Sequence, residues 1–187
     1  MTATGYRINQ VKLRALTEAV EESGRDLERE IAASINATAT KGVSLTAKEV
    51  VTVLKVKQKA VKQQTRKGRR ATASFPNTKI VLKKSSRIPL KEFGARQTKK
   101  GVSYKISKKG KRETITSGFV SNKLGDHVFV RVGKSRLPLR KPMGPSPWGV
   151  FVRQKMKPEV QEQVEVELEK QLDRRINFNK LKASGTI

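Results

Sequence analysis

The sequence predicts an α+β fold in which a small antiparallel sheet is flanked by N-terminal helices and a C-terminal helix. Apolar residues recur at helical spacing at both ends of the chain and alternate with polar residues in its middle. The excess positive charge also lies in the middle. The 187 residues are enough for one domain with a core. We expect a single domain over 1–187. Within it we place N-terminal helices over 1–68, a basic sheet over 70–140, a Pro/Gly loop over 141–157 and a C-terminal helix over 158–182.

The N-terminal segment carries one apolar stripe, as a helix packed on the core or on a sister subunit does. The stripe consists of Leu13, Leu16, Val20, Leu27, Ile31 and Ile35. Gly24 interrupts it and would allow a bend. Thr46 and Glu49 have the spacing of a capping box, which predicts a second helix beginning there. We expect this helix to continue through a lysine- and arginine-rich stretch to Arg70.

The middle of the chain has the period-2 pattern of half-buried strands. The pattern covers the stretches around Ile80 and Leu82, from Val102 to Ile106, and from Val128 to Val132. Lys108–Lys111 contains the glycine of a hairpin loop, and we place it between strands 101–107 and 112–120. A strand that bears Pro138 should lie at an edge or leave the sheet there.

The C-terminal segment predicts a helix with a narrow apolar face. Three prolines make 141–149 an extended loop, and Pro158 suits the first turn of the helix that follows. The apolar residues of that helix recur every four positions, from Val160 to Ile176. We expect the apolar positions of both helical ends to serve in subunit packing. The candidates are Leu13, Leu16, Val20, Val160, Val164, Leu168, Leu172 and the loop residue Trp148.

The net charge of +26 is concentrated in one region. Residues 1–49 hold 7 basic and 7 acidic side chains and residues 159–187 hold 5 and 6, whereas 50–158 hold 30 basic side chains and only 3 acidic ones. Positive charges at this density repel one another, so we expect an anionic partner to offset them. That partner would be either nucleic acid or an acidic protein surface. A face bathed in counterions is the other interpretation. The candidate contacts are Lys55, Lys57, Lys59, Lys62, Arg66, Lys67, Arg69, Arg70, Lys99, Lys100, Lys108, Lys109, Lys111 and Arg112.

The residues needed for catalysis are scarce, so we predict that the protein is not an enzyme. There is no cysteine, His127 is the one histidine, and three scattered carboxylates serve the whole basic region. We therefore assign no catalytic residue, metal site or cofactor. No zinc finger or aromatic RNA-recognition motif is present, which leaves sequence-blind attraction to phosphates. No signal peptide is visible and the apolar runs are short, so we expect no membrane partner.

Four blocks in the middle of the chain carry a family resemblance. Ile88–Val102 (IPLKEFGARQTKKGV) resembles the central segment of the phage minor tail protein Z family. His127–Leu139 resembles the family's second block, Met143–Ser146 its Gly-Pro-Ser turn, and Gly118–Val120 its strand of small and aromatic residues. Together the blocks cover about residues 79–147, in order and at suitable spacing.

The resemblance implies a tail-completion protein of the phage neck, built on a curved sheet. It implies a homo-oligomeric ring, a hexamer, at the head-proximal end of the tail, assembled in the host cytoplasm and present in the virion. The implied neighbours are the tail terminator, the tail tube, the end of the tape-measure protein and the head–tail connector. The end of the genomic DNA is a further candidate partner, bound without sequence preference.

Two alternatives stay open at this point. One is a ribosome- or nucleoid-type protein that binds nucleic acid without sequence preference, which the lysine density supports. The other is a neck protein of a contractile tail, which the sequence does not distinguish from that of a non-contractile tail.

Overall fold

Helices form both ends of the chain and short strands form its middle. The computed structural model describes residues 10–23 and 26–185. The elements within those ranges are α1 Gln10–Ser23, α2 Leu27–Val53, α3 Gln58–Gln64, β1 Thr65–Lys67, β2 Ile80–Leu82, β3 Arg96–Thr98, β4 Gly101–Tyr104, β5 Glu113–Ile115, β6 Gly118–Ser121, β7 His127–Arg131, β8 Leu139–Arg140, α4 Pro147–Arg153 and α5 Lys157–Ala183. The predicted α+β class, with helices at both ends, is confirmed. The strands form three small antiparallel sheets, β1-β2, β3-β4-β5 and β6-β7-β8, where we expected one.

The chain folds into two compact units. The first contains Met1–Leu45, Arg66–Val81 and Lys157–Ile187, and therefore joins both ends of the chain to a short basic segment of the middle. The second contains Thr46–Thr65 and Leu82–Met156, and holds β3 to β8.

The core of the first unit is the packing of α1 on α5. Leu16 and Val20 of α1 are buried in one cluster with Leu168, Leu172 and Ile176 of α5. At the rim of this contact the Lys12 Nζ atom lies 2.9 Å from an Asp173 carboxylate oxygen. The predicted C-terminal helix is confirmed, and its four-residue ladder faces α1 through Leu168, Leu172 and Ile176.

Packing within the chain reduces the apolar surface that the predicted packing residues expose to a second subunit. Of the eight packing candidates, six are buried in the chain itself, namely Leu16, Val20, Val160, Val164, Leu168 and Leu172. Leu13 and Trp148 are half-buried. Side chains that are already buried have little surface left for another subunit, so Leu13 and Trp148 are the two candidates with surface to contribute.

Helix α2 begins much earlier than the capping box predicted. The Asp26 Oδ1 atom accepts hydrogen bonds from the backbone N–H groups of Glu28, at 3.0 Å, and Arg29, at 3.3 Å, as an N-terminal cap does. The helix continues to Val53, so the predicted start at Thr46 is wrong. A capping sequence acts only where the preceding turn is not helical, and here it is helical. The proposed bend at Gly24 lies outside the described residues.

A glycine inside α2 permits close packing in the first unit. A Cβ atom at Gly42 would lie 2.5 Å from Ile80 Cδ1 and 3.2 Å from Val164 Cγ2. Glycine in a helix interior costs about 0.5–1 kcal/mol relative to alanine. Here it lets β2 and α5 approach the helix backbone.

The predicted helix over the basic stretch to Arg70 is wrong as well. The helical structure stops at Val53, resumes only as the short α3 and gives way to β1 at Thr65. Lysines four apart, such as Lys55 and Lys59, repel one another on a helix, and no acid in the stretch offsets them. Breaking the helix also lets Leu54 and Val56 enter the core of the second unit.

In the second unit, two three-stranded sheets share a core around Phe93. Strands β4 and β5 form the predicted hairpin, with Tyr104 opposite Glu113. The single strand expected over 112–120 is instead two strands, β5 and β6, which belong to different sheets. The chain turns at 116–117, and Gly118 follows so closely that a Cβ there would lie 3.1 Å from the Ile115 carbonyl oxygen.

The end of the basic region agrees in part with the prediction. Strand β8 is an edge strand and begins directly after Pro138, as expected. The loop expected over 141–157 contains helix α4, in which the Ser146 Oγ atom accepts a hydrogen bond from the Gly149 backbone N–H at 3.1 Å. The pair Ser146-Pro147 is a cap followed by a proline at the first helical position, and this pair is a sequence signal for the start of a helix.

Replacing Leu172 with Ala should destabilise the chain by about 2–5 kcal/mol, because Leu172 is fully buried between α5 and α1. Val166→Ala is the matched control on the same helix, since Val166 is 63% exposed, and should change stability by within about 0.5 kcal/mol. Urea unfolding of both variants measures the difference. Equal midpoints would contradict the packing described here.

A candidate anion-binding surface

The candidate cations are distributed between the two units. Ten belong to the second unit and four, Arg66, Lys67, Arg69 and Arg70, to the first. All of them are exposed except Lys62, which is half-buried. Sequence reasoning treated them as two runs, whereas the structure arranges them in three places.

The first place is where the end of α2 meets the chain after β4. The Lys55 backbone N–H donates to the Ile106 carbonyl oxygen at 2.8 Å, and the Lys108 N–H donates to the Val53 carbonyl oxygen at 2.9 Å. These bonds hold the two lysine-rich segments side by side, although 53 residues separate Lys55 from Lys108. Periodicity gave no sign of this pairing.

The second place is the turn between β3 and β4, which presents Lys99 and Lys100. Thr98 pairs with Gly101 across this turn, whereas the turn with Lys108–Lys111 lies at the other end of β4. Because β4 rises about 3.3 Å per residue, the strand alone puts about 10 Å between the two turns. The lysines of 99–112 therefore do not form one cluster. Gly101 has φ +124, and a Cβ there would collide with the Ile115 carbonyl oxygen, so this turn requires glycine.

Arg112 differs from the neighbouring lysines because its guanidinium is engaged by the backbone. Its Nη2 atom donates to the carbonyl oxygens of Gly94 and Ser103, both at 3.0 Å. The adjacent Glu113 accepts a hydrogen bond from the Tyr104 hydroxyl at 2.6 Å, and this bond raises the pKa of Tyr104 to about 12. The Glu113 carboxylate of the hairpin is thus engaged by the Tyr104 phenol group.

Few carboxylates neutralise this surface. The ion pairs recorded among the described residues are Lys12 with Glu169 and Asp173, Arg29 with Asp26, and Arg175 with Glu30. Each lies outside 50–156. Over 50–156, the partners found for the described cations are hydroxyl and backbone oxygens and aromatic rings, as for Lys67, Arg112 and Arg69.

The third place is a cleft in the first unit, which we name the α2–β1 cleft. It has a volume of about 400 Å³, and its charged lining residues are Lys67, Arg70 and Arg175. The chain after β1 is held to α2 by Asn36, whose side chain both donates to the Ala71 carbonyl oxygen and accepts from the Ala71 N–H, at 2.9 Å each. The Lys67 Nζ atom donates to the Thr40 Oγ1 atom at 3.1 Å. Hydrogen bonds thus position the chain after β1 and the Lys67 ammonium group.

Arg175 was missed by sequence reasoning because it belongs to the nearly neutral C-terminal helix. Its Nη1 atom lies 3.1 Å from Glu30 Oε2, and the Glu30 side chain is 9% exposed. A signal was available in the sequence: Arg175 lies three residues after Leu172, and therefore on the apolar side of α5. A cation on a buried face needs a partner, and Glu30 supplies it.

The described residues present many exposed cations, and one comparison identifies the family of the chain. The model of the family described as prophage minor tail protein Z (GPZ) matches residues 13–183. The chain belongs to the prophage minor tail protein Z family. No curated protein and no solved structure matches it. The match extends beyond the blocks at 79–147 to the helices at both ends.

Membership of the minor tail protein Z family makes this chain a structural component of a phage tail, associated with other tail components in the virion. Among the described residues, no group of three or more His, Cys, Asp or Glu side chains could hold a metal ion. No helix in the described part of the chain is both long and apolar enough to span a bilayer.

His127, the one histidine of this tail protein, is the first residue of β7 and not part of a loop. Its Nδ1 atom is buried without a hydrogen-bond partner. Burial lowers the pKa of His127, and the cations Lys141 and Lys91 lower it further. The side chain is neutral at physiological pH and packs its ring edge-on against Phe129, with ring centroids 6.5 Å apart.

Replacing Arg175 with Gln should destabilise the chain by about 1–3 kcal/mol, because the buried Glu30 carboxylate loses its charged partner. The double variant Glu30→Gln/Arg175→Gln should recover part of this loss, since no unpaired charge then remains. Chemical unfolding of the wild type, both single variants and the double variant gives the coupling free energy. A coupling near zero would contradict the pairing.

The pKa of His127 should lie below its ordinary value of 6.5. The folded chain binds a proton at His127 less readily than the unfolded chain does. The contribution of neutral His127 to stability is therefore complete above pH 6.5 and is lost as the pH falls through the lowered pKa. His127 gives the one histidine signal in an NMR titration of the full chain. A midpoint at or above 6.5 would contradict the burial of its Nδ1 atom and the effect of the nearby lysines.

Proposed function

We propose that this tail protein completes the head-proximal end of the tail as a homo-hexameric ring in the neck. The ring would bridge the tail tube and terminator to the head–tail connector, around the channel through which the DNA passes. The supporting observation is the exposed and unpaired basic surface over 50–156 in a chain of the minor tail protein Z family. A structural and not a catalytic role fits the scarcity of titratable groups other than cations in that region.

A ring gives the basic surface a partner. Each subunit contributes the same cations, so a lumen formed by six copies multiplies the local positive potential. DNA in the channel, or acidic residues of a neighbouring ring, would offset that potential. The proposed contacts are the tail terminator, the tail tube, the end of the tape-measure protein and the head–tail connector. Assembly would take place in the host cytoplasm.

The rival proposal is a protein that binds nucleic acid without sequence preference and acts outside the virion. The exposed cations favour it as much as they favour a ring. The two proposals differ in the state of the protein in solution and in its location. A monomer that binds any RNA and is absent from purified particles would support the rival.

Phage that lack this protein should accumulate filled heads and tails that do not join, because the tail end that receives the head is incomplete. Electron microscopy of lysates shows the defect, and expression of the chain from a plasmid should restore joined particles. Complementation by the Val166→Ala variant is the control for expression.

Lysates in which the plasmid-expressed chain restores joined particles also test whether the protein forms a hexameric ring. Sedimentation of the assembled protein should give six times the chain mass of 20.9 kDa. A label on the chain should appear at the head-proximal end of the tail. Labelling at the tail tip, or normal joining in its absence, would contradict a role in the neck.

A further inference from the structure

We infer that the α2–β1 cleft is a binding site for the backbone phosphates of double-stranded DNA. This inference deepens the proposed function, since it rests on a neck position where DNA passes. It selects one of the three places where the candidate cations lie, and it adds Arg175, which comes from a different part of the chain.

The cleft brings together three cations from distant sequence positions. Lys67 and Arg70 come from β1 and the segment after it, and Arg175 comes from α5. Glu30 is paired with Arg175, so the cleft keeps an excess of positive charge. Guanidinium groups bind phosphate oxygens with two parallel hydrogen bonds, and the lysine adds a point charge.

The floor of the cleft is suited to close approach by a backbone. It is formed by small residues of α2 at helical spacing, Ala33, Ala37 and Thr40, and by Gly68 on the facing segment. Small side chains leave the cations as the most prominent groups of the cleft. A phosphate can reach them without displacing a bulky residue.

The surroundings favour a polyanion over a single carboxylate. Arg66, Arg69 and Lys79 are exposed on the same segment and extend the positive charge beyond the cleft. Phe75 is 56% exposed, and the Arg69 guanidinium lies 5.6 Å from its ring centroid. Phosphates recur along a DNA strand, so a row of cations can be occupied in series.

An acidic protein segment is the less favoured occupant. Protein interfaces depend on apolar or aromatic anchors in pockets. The lining of this cleft consists of small, polar and cationic side chains. The cleft therefore offers charge and hydrogen-bond donors, and its apolar lining is limited to small alanine side chains.

The test compares two variants that remove equal charge from different places. Lys67→Gln/Arg70→Gln removes two exposed cations from the cleft, and Lys99→Gln/Lys100→Gln removes two exposed cations from the β3–β4 turn. Binding of the full chain to a labelled duplex of random sequence, about 20 base pairs long, is measured by fluorescence anisotropy from about 50 to 200 mM salt. Each phosphate contact contributes about 0.9 to the salt slope.

We expect the cleft variant to bind about 10–100-fold more weakly near 0.1 M salt, with a slope smaller by about 2, whereas the turn variant stays within about threefold of wild type. Ala37→Glu is a second cleft variant, which keeps every cation but places a carboxylate on the floor, and it should weaken binding as well. Circular dichroism and thermal unfolding of each variant confirm that it is folded.

Equal weakening by the cleft and turn variants would overturn the inference, because diffuse attraction would then explain the binding. Binding of a polyglutamate peptide that depends on Lys67 and Arg70, together with DNA binding that does not, would also overturn it in favour of an acidic protein. Neither result bears on the position of the protein in the neck, which the phage experiment tests separately.

Discussion

Self-repulsion of the basic region is the constraint on which the rest of the structure depends. Thirty cations against three carboxylates over 50–158 cannot be paired internally, so they have to remain at the surface. A long helix through residues 55–70 would stack like charges at every turn, and the chain breaks the helix there instead. Short strands and turns then spread the lysines apart, while the apolar residues between them enter small cores.

The stability of the first unit comes from the nearly neutral ends of the chain. Helix α1 packs on α5 through leucine, valine and isoleucine, and Gly42 lets β2 and α5 approach α2 closely. This arrangement supports a piece of the basic region, 66–81, on a scaffold made from both ends of the sequence. The backbone of that piece is held by the Asn36 side chain at Ala71, and its Lys67 Nζ atom donates a hydrogen bond to the Thr40 hydroxyl.

Because carboxylates are scarce, the described cations fall into two kinds: those held by neighbouring groups and those without an ion pair. Arg112 is engaged by backbone carbonyl oxygens and Arg175 by Glu30, so each is held in a fixed position, and Arg175 also lines the α2–β1 cleft. Lys99 and Lys100, by contrast, lie on a turn that requires Gly101 and have no recorded ion pair among the described residues. Under the proposed function both kinds would serve, because a cation held in place binds more selectively than a flexible one.

The sequence by itself determined the features that depend on local patterns. These are the helical ladder of α5, the alternation in β4 and β7, the β4–β5 hairpin, the edge position after Pro138 and the location of the charge. Tertiary structure decided the rest: the continuation of α2 through Thr46, the split of 112–120 into two sheets, the pairing of Lys55 with the segment near Lys108, and the meeting of Arg175 with Lys67 and Arg70. Periodicity reports which face of an element is apolar. Which distant face it meets depends on packing between elements, and one sequence does not encode that in its spacing.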